Sequence, residues 1–544
     1  MYQFGVSIPF ISWLLTFPEK VVIVVPEYSL PFITNRSLIN FIRPFCSFYS
    51  NDIKIKAFDF LDALNNNPQQ FHKQGKVILI TADTPLQASR GEGKTTATIA
   101  LTDALRSRGI DAVAVLRQPS MGITAAGTKG GASGGGEASL QDSTLADFGL
   151  FGEMSRIGEA QNLIVAHAEQ AFEKGLLDTI TIPRVFEIPS RALRHITVFS
   201  STQRSTEEQG VLTPTCEMMQ ILTLSRSKHD IQNAIDHMTV GEYQGKPVLA
   251  QELLDSQNVM KILGDSCDPM LLKTKAGSPV YMHCGPFANV SLGIPSILSI
   301  QLACALHDVV LVEAGYGADA GAEKYLDIAV RGYQAPMPQA AVVVSRATTW
   351  LDNPKLQWRY TFNISQLEKN SIPCIPLINL WQGEEQLEST LRNYAYATGL
   401  REPLIGDLYT HGGEILTNQI DSLLSLLDQE KISHHAIHFK TLDEKIENLI
   451  LTSYGVPKER IQYQTSFKES YSHVCSLLKD LHYEDINSLC INAIKSPSTI
   501  TDNDELEADQ RTVTLKKIRL YTGANLLSIN LTTSLTTPMP KIAD

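Results

Sequence analysis

The chain has 544 residues, more than one hydrophobic core usually spans, so roughly two to four domains are expected. Its composition, 43% hydrophobic and 19% charged, indicates a globular α/β protein and excludes a disordered or fibrous chain. Its 46 Lys and Arg against 58 Asp and Glu give a net charge of −12, which excludes a general nucleic-acid-binding surface and leaves local loops to bind any anionic substrate.

The N-terminal stretch and the cysteines bear on the cellular compartment of the protein. The first 50 residues begin with the apolar stretch MYQFGVSIPFISWLLTF, but a proline and the lack of any lysine or arginine before Lys20 fit neither a signal nor a transit peptide. The stretch is also short for a membrane span. The eight cysteines have no Cys-x-x-Cys spacing, which favours reduced thiols over a disulfide framework or a zinc site. We therefore predict an N-terminal extension of unexplained role over 1–50, no clear membrane segment, and a cytoplasmic location with the mitochondrion as the alternative.

The first half of the chain contains a strand, loop, helix, strand unit. Residues 53–64, IKIKAFDFLDAL, predict a helix, and KVILITA at 76–82 predicts a buried strand. After a glycine loop, apolar residues at helical spacing predict a helix over 95–109, and 111–120 is strand-like. Such a unit indicates a parallel sheet. Further buried strands are predicted at 309–315, 340–346 and 372–381.

These elements predict an α/β fold with a P-loop-type parallel sheet core and additional smaller α/β domains. We expect the nucleotide-binding core over about 51–345 and C-terminal α/β subdomains over about 346–544.

The loop RGEGKTT after the first strand is an imperfect P-loop, because Ala88 stands where the first glycine of the pattern belongs. Glycines let the backbone approach phosphate oxygens, Lys94 can reach the β- and γ-phosphates, and the Thr95 hydroxyl is placed for Mg²⁺. The alternative is a glycine-rich helix start with a solvated lysine. We favour phosphate binding.

A second glycine-rich segment, LRQPSMGITAAGTKGGASGGGEA, contains Arg117, Ser120, Lys129 and six glycines. The alternative is a flexible linker, which such composition usually forms. Because this segment follows a buried strand and carries a lysine, it favours a second anion-binding loop that faces the first.

Five motifs in order resemble those of formate–tetrahydrofolate ligase, also called 10-formyltetrahydrofolate synthetase. They are TP…GEGKTT, LRQPSxG, KGGAxGGG, HCGPFAN at 283–289 and EAGYGADAGAEKYLDI at 313–328. The similarity runs from about residue 52 to the end. Gln118 is more similar to the synthetase part of eukaryotic C1-tetrahydrofolate synthases than to bacterial enzymes, which usually have glutamate there.

The resemblance implies a ligase of one-carbon metabolism that uses ATP and Mg²⁺. Formate attacks the γ-phosphate of ATP to give formyl phosphate, and N10 of tetrahydrofolate then displaces phosphate from the formyl carbon. The implied partners are therefore small molecules: formate, tetrahydrofolate and ATP. The family often forms tetramers and responds to monovalent cations, so a homo-oligomer and a monovalent cation are further expectations that these residues do not themselves indicate.

The resemblance also implies site residues. Lys94 and Arg117 are the catalytic candidates, and Thr95 is the metal ligand. Trp381 in INLW and Tyr409 in LYTHGG correspond to the folate-stacking aromatics, the alternative being core aromatics at loop ends. The ATP-binding candidates are Thr84, Pro85, Gly91, Glu92, Gly93, Lys94, Thr95 and Thr96. The formyl phosphate candidates are Arg117, Ser120, Lys129, Gly130 and Gly131.

Several segments depart from the family pattern. His-Phe-Thr-Gly-Asp is replaced by GLFGE at 149–153, and the other departures are EIPS at 187–190, TTWLDN at 348–353 and KSPSTIT at 495–501. Two hypotheses follow. The chain is an active ligase with rearranged formate and folate contacts, or it is a catalytically impaired relative that keeps the fold and nucleotide binding and acts as a regulatory or partner subunit.

Overall fold

The computed structural model describes most of the chain from residue 46 onward, within one compact unit that spans residues 45–544. The described residues are 46–49, 52–65, 73–84, 91–121, 128–129, 133–141, 144–147, 152–186, 196–199, 205–208, 210–351, 357–428 and 438–531. Of the predicted N-terminal extension, only the strand Cys46–Tyr49 falls within these ranges.

A ten-stranded sheet forms the centre of the described structure. Its strands, numbered in chain order, are β1 Cys46–Tyr49, β2 Asp52–Ile55, β3 Lys76–Ala82, β4 Ala112–Leu116, β5 Met270–Lys273, β6 Pro279–Met282, β7 Val309–Gly317, β8 Pro338–Arg346, β9 Cys374–Asn379 and β10 Leu404–Gly406. Their order across the sheet is β1-β2-β5-β6-β4-β7-β3-β8-β9-β10. In this spatial order, every pair of neighbouring strands from β6 through to β10 is parallel. The pairs β1–β2, β2–β5 and β5–β6 are antiparallel. The predicted α/β fold with a mostly parallel core sheet is confirmed.

Helices cover both faces of the sheet, as parallel strands require. Those of seven or more residues among the described residues are α1 Ala57–Asn65, α2 Lys94–Ser107, α3 Glu153–Glu173, α4 Glu217–Leu224, α5 Lys228–Asp236, α6 Ser256–Leu263, α7 Ile297–Leu306, α8 Trp358–Lys369, α9 Glu388–Ala397, α10 Asp421–Leu427, α11 Leu442–Tyr454 and α12 Thr465–Asp480. Shorter helices are Thr144–Asp147, Arg331–Tyr333, Ala347–Leu351 and Leu408–His411. Two π-helical turns, Ala318–Ala322 and Tyr325–Val330, follow β7.

The sheet core explains why the sequence predicted the strands well. The buried side chains of β3, β4, β7 and β8 pack against α2 in one apolar cluster that includes Ile78, Leu101 and Val342. Strands buried on both faces read as continuous apolar runs, which is the pattern that the sequence displays.

One predicted helix is partly wrong. Residues 53–55 belong to strand β2, which pairs with β1 and β5, and helix α1 begins only at Ala57. The reason is the alternation of Ile53, Lys54 and Ile55, a period of two that suits a strand. The strand predicted over 111–120 ends at Leu116, and that over 372–381 is Cys374–Asn379.

A smaller sheet near the C-terminus has its own core. Its strands, in spatial order, are Ile461–Tyr463, Val513–Tyr521, Leu526–Leu531 and Cys490–Ile494. Helices α11 and α12 pack on it in a separate apolar cluster. The central sheet continues through β9 and β10 to Gly406. It therefore extends past residue 345, where the sequence predicted the end of the nucleotide-binding core.

The remaining strands are short pairs in the connections between the larger elements. They are Ser120–Met121 with Thr128–Lys129, Gly134–Gly135 with Ala138–Ser139, Val185–Phe186 with Val211–Leu212, Ile196–Phe199 with Ser205–Glu208, and Thr239–Tyr243 with Lys246–Leu249 and Thr179–Ile180.

Candidate active site

The carboxyl ends of the parallel strands meet at one edge of the central sheet. In open α/β sheets this edge is where ligands bind. The phosphate-binding candidates follow β3, Arg117 follows β4, Glu313 lies on β7, and the candidate folate aromatics follow β9 and β10. The fold therefore brings together residues that are up to about 300 positions apart in the sequence.

The candidate phosphate loop leads directly into helix α2. Gly93 has φ +88°, and a Cβ atom there would lie 2.5 Å from Nδ2 of Asn379, so the position requires glycine. Asn379, at the end of β9, donates a 3.4 Å hydrogen bond to the carbonyl of Glu92. No side chain caps this helix start, which leaves its first N–H groups available to an anion.

Lys94 is not the solvated lysine of the alternative hypothesis. Its ammonium lies 3.1 Å from a carboxylate oxygen of Glu92, and the two side chains are only 10% and 5% exposed. The same ammonium lies 5.9 Å from the centroid of the Tyr316 ring. Lys94 is thus a mostly buried cation held at the loop.

Thr95 and Arg117 meet at one carboxylate, that of Glu313. The Thr95 hydroxyl donates to Oε1 of Glu313 over 2.9 Å, and Nη2 of Arg117 donates to the same oxygen over 3.3 Å. Arg117 also donates to the carbonyl of Pro286 over 3.3 Å. All three side chains are buried, and Oε2 of Glu313 has no hydrogen-bond partner among the described residues.

Glu313 is the first residue of the motif at 313–328, but the sequence alone did not predict a role for it. The sequence feature that could have indicated its role is its position, because Glu313 is the first acidic residue in the buried run VVLVEAG. An acidic residue at the end of a strand beside a P-loop threonine is a usual magnesium-binding arrangement.

The Thr95 and Glu313 pair fits a magnesium site. No cluster of three or more His, Cys, Asp or Glu with metal-binding geometry occurs among the described residues. Mg²⁺ bound with a nucleotide does not need one, because it takes one or two protein oxygens plus phosphate oxygens and water. The unpartnered Oε2 of Glu313 supplies an oxygen of this kind.

Strand β7 is irregular beside this carboxylate. Its pairing with β3 shifts register between Glu313 and Gly317, and Tyr316 has φ +55°, which is unusual for a residue other than glycine. Burial raises the pKa of the Tyr316 hydroxyl. Strained backbone of this kind concentrates at functional sites, and here it occurs three residues after Glu313, at a tyrosine whose ring lies 5.9 Å from the Lys94 ammonium.

The end of β3 contains a second polar group that sequence reasoning missed. Asp83 is fully buried and accepts a 2.7 Å hydrogen bond from the Ser345 hydroxyl. Burial, followed by the charge of Glu92, raises the pKa of Asp83 well above its usual value. The next residue, Thr84, is an ATP-binding candidate, but its hydroxyl is occupied by a 2.8 Å bond to Asp319. Pro85 lies outside the described residues.

The second glycine-rich segment is described in part. The backbones of Ser120 and Lys129 pair in a short antiparallel ladder, while Gly130 and Gly131 lie outside the described residues. Farther along, a Cβ at Gly135 would lie 3.1 Å from the Tyr409 ring, and one at Gly136 would lie 1.8 Å from the Tyr409 carbonyl. These glycines therefore pack directly against the short helix Leu408–His411 that follows β10.

The two candidate folate aromatics are exposed at adjacent strand ends. Trp381 is 47% exposed and Tyr409 is 65% exposed, so the alternative of core aromatics is wrong for both. Asn379 links their loops, because its side-chain oxygen accepts a 3.4 Å bond from the N–H of Leu408. The guanidinium carbon of Arg346 lies 3.8 Å from the centroid of the Trp381 ring.

The stack of Arg346 on Trp381 gives the first testable prediction. Arg346 covers one face of the ring and fixes its orientation, which leaves the other face for a flat ligand. We expect Arg346→Ala to raise KM for tetrahydrofolate by about tenfold, the upper range of a cation–π contact, with little change in KM for ATP. Steady-state kinetics with each substrate varied checks this.

Arg511→Ala is the matched control, because Arg511 stacks on Trp358 at 3.5 Å in the C-terminal part of the chain. Equal effects of the two variants on KM for tetrahydrofolate would contradict the role of Arg346.

The segment GLFGE is described only at Gly152 and Glu153. Gly152 has φ +80° and precedes helix α3, and the buried Glu153 carboxylate accepts a 3.2 Å bond from Nε2 of Gln118. The residue next to Arg117 is thus held by the altered segment. An amide at 118 suits this contact because it donates to the carboxylate without adding charge.

Exchanging the Gln118 amide and the Glu153 carboxylate tests the hydrogen bond between them. Gln118→Glu would bring a second carboxylate beside Glu153, and we expect the free energy of unfolding at pH 7 to fall by about 1–3 kcal/mol. Adding Glu153→Gln restores one donor and one carboxylate, so most of the loss should be recovered. Denaturant unfolding of the single and double variants measures both effects, and additive losses would rule out a direct contact.

Other altered segments have structural roles. Trp350 in TTWLDN is buried between Tyr360 and Tyr394, with ring centroids 4.5 and 5.0 Å away. Lys495, the first residue of KSPSTIT, forms a buried ion pair with Asp319. The segment EIPS lies outside the described residues. No helix in the described part of the chain is long and apolar enough to span a membrane.

The glycine-rich loop before α2, the buried Arg117 and the Thr95–Glu313 pair lie together at the carboxyl edge of a parallel sheet, an arrangement typical of α/β enzymes that bind phosphorylated nucleotides. The sequence model of formate–tetrahydrofolate ligase matches residues 51–351. The chain is 52% identical over 503 residues to the formate–tetrahydrofolate ligase of Bifidobacterium longum (strain NCC 2705), covering 92% of this chain and 99% of that protein. It is 29% identical over 483 residues to the enzyme of the same name from Pseudothermotoga lettingae, covering 84% and 85%.

The chain therefore belongs to the formate–tetrahydrofolate ligase family, a family of ATP-dependent enzymes in folate one-carbon metabolism. Both of these relatives are bacterial, so the nearer likeness to eukaryotic synthases that Gln118 suggested is not shown.

Proposed function

We propose that this chain ligates formate to tetrahydrofolate at the expense of ATP, through formyl phosphate, with the roles given below. The observation that carries the proposal is the convergence of Thr95 and Arg117 on Glu313, with Lys94 beside them at the start of α2. A transferring phosphoryl group needs fixed cations and N–H groups of this kind.

In the first step a formate oxygen attacks the γ-phosphorus of ATP, and the bond from that phosphorus to the β,γ-bridging oxygen breaks. Lys94 and the N–H groups at the start of α2 hold the phosphates. Arg117 binds the formate carboxylate and then the formyl phosphate, because its planar guanidinium offers two donors to such groups. ADP leaves.

In the second step N10 of tetrahydrofolate attacks the formyl carbon of formyl phosphate. The bond from this carbon to the oxygen that bridges it to phosphorus breaks, and phosphate leaves with the electron pair of that bond. The proton of N10 passes to the departing phosphate. Trp381 and Tyr409 offer exposed aromatic faces on which a pterin can stack, and the glycines packed under Tyr409 keep that ring in place. Ser120, Lys129, Gly130 and Gly131 are assigned to the formyl phosphate side of the pocket by resemblance alone.

Magnesium, when bound with ATP, would neutralise charge on the β- and γ-phosphates. Thr95 and Glu313, which a 2.9 Å hydrogen bond holds together, are the residues that would hold it. Light scattering tests the proposed homo-oligomer by measuring the molecular mass in solution. The proposed monovalent cation requirement is tested by comparing turnover in a potassium salt with turnover in the salt of a bulky organic cation.

Formate labelled with ¹⁸O tests the route. Because the attacking formate oxygen ends in the phosphate, one labelled oxygen should appear in inorganic phosphate for each 10-formyltetrahydrofolate formed. Product formation without transfer of label would eliminate formyl phosphate while leaving the ligase activity. Binding of Mg-ATP without any turnover would instead support the catalytically impaired relative that GLFGE suggested.

A further inference from the structure

A fully buried lysine lies in the π-helical segment that follows β7. Lys324 is 0% exposed, although lysine is a residue type that almost never leaves water completely without a partner. It immediately precedes the turn Tyr325–Val330, and π-helical turns occur frequently at functional sites. Lys324 belongs to the motif at 313–328, but the proposed reaction gives it no role.

The Lys324 ammonium donates a hydrogen bond to the backbone carbonyl of Ala288. Burial, opposed by the charge of the neighbouring Glu323, lowers the pKa of Lys324 to about 8, so the ammonium form predominates at pH 7. A hydrogen bond from an ionised donor is stronger than one between neutral groups. Lys324 therefore holds the backbone at Ala288 in place.

The loop that contains Ala288 also contacts Arg117. Two residues before Ala288, the Pro286 carbonyl accepts a 3.3 Å hydrogen bond from Nη1 of Arg117. Both parts pack closely on Gly315 of β7, where an added Cβ would lie 2.7 Å from Cβ of Ala288 and 2.8 Å from Nη1 of Arg117. A movement of the 286–288 loop would therefore displace an acceptor and a packing neighbour of the guanidinium.

We propose that Lys324 is a positioning residue for formate, which holds the 286–288 loop and through it the Arg117 guanidinium. The inference rests on the proposed function, in which Arg117 binds formate and formyl phosphate. Because Lys324 is fully buried, it acts through Arg117 and touches no substrate itself. A displacement of about 1 Å in a group that orients a substrate can lower a rate by about 100-fold.

The variant Lys324→Met tests this role, because methionine keeps a long flexible side chain and removes the donor. We expect KM for formate to rise at least about tenfold, while KM for ATP and for tetrahydrofolate stays within about twofold of the wild type. Steady-state kinetics with each substrate varied in turn measures the three values. A merely structural role would not select one substrate.

Lys445→Met is the matched control. The Lys445 ammonium also donates to backbone carbonyls, including that of Asn487 at 3.1 Å, but it lies in the C-terminal part of the chain on helix α11. This variant should leave all three KM values within about twofold of the wild type. If Lys324→Met fails to fold, Glu323→Gln/Lys324→Met removes the neighbouring carboxylate as well and should show the same rise in KM for formate, with Tm as the measure of folding.

Calorimetric titration with carbamoyl phosphate tests the same role without turnover. In this probe an amino group replaces the formyl hydrogen of formyl phosphate, and the titration contains neither nucleotide nor metal. Lys324→Met should raise its Kd at least about tenfold, and Lys445→Met should not. A wild-type protein that binds the probe but shows no turnover would contradict the proposed function alone, and the two variants would still decide the role of Lys324.

Three results would overturn the role of Lys324. They are an unchanged KM for formate in a folded variant, parallel changes in KM for all three substrates, and equal effects of Lys324→Met and Lys445→Met on the binding of carbamoyl phosphate. A wild-type protein that neither turns over nor binds carbamoyl phosphate would overturn both this inference and the proposed function.

Discussion

Replacing Lys94 with alanine is expected to lower kcat/KM for ATP by about 100-fold. A charge-assisted contact to a phosphate is worth about 1.5–3 kcal/mol, and each 1.4 kcal/mol is a factor of ten. The same change should lower Tm, because Lys94 neutralises the buried Glu92 carboxylate. This second effect follows only from the structure, since a solvated loop lysine would contribute little to stability.

The double variant Glu92→Gln/Lys94→Met separates the two effects. It removes both charges of the pair, so Tm should return toward that of the wild type while kcat/KM for ATP stays low. Coupled enzyme assays at varied ATP concentration measure kcat/KM for ATP, and thermal melts measure Tm. Recovery of activity together with Tm would mean that Lys94 serves the fold and not the nucleotide.

Arg117→Lys is expected to lower kcat/KM for formate by about two orders of magnitude. In the structure the guanidinium reaches two acceptors at once, the Glu313 carboxylate and the Pro286 carbonyl, each at 3.3 Å. A lysine ammonium is a point charge on a flexible stem and does not reproduce a two-point contact. A Cβ on Gly315 would lie 2.8 Å from the guanidinium, so the pocket is built closely around it.

Arg106→Lys is the matched control for this variant. Arg106 lies in the last turn of α2, at the opposite end of that helix from the phosphate loop, and pairs with Asp111 at 3.0 Å. It should leave kcat/KM for formate within about twofold of the wild type, because a part-exposed ion pair contributes little. Unchanged kinetics in Arg117→Lys would remove Arg117 from the formate site.

The amino-acid sequence alone predicts the local elements of the protein, which are its buried strands and its helix starts. The runs KVILITA and AAVVVSR specified β3 and β8, because a strand buried on both faces must be apolar throughout. The glycine at position 93 and the lysine after it specified a helix start suited to phosphate. The ordered motifs also indicate the family, because they are local in the sequence and do not depend on tertiary contacts.

The tertiary structure decided which distant groups share one site. Glu313 becomes the common partner of Thr95 and Arg117 only because β7 lies between β3 and β4 in the sheet, an order that the chain sequence does not specify. Burial makes Lys94 one half of an ion pair with Glu92, where the sequence alone leaves a solvated lysine possible. Hydrophobic periodicity reports which residues leave water, whereas the pairing of polar groups depends on long-range packing that no local pattern encodes.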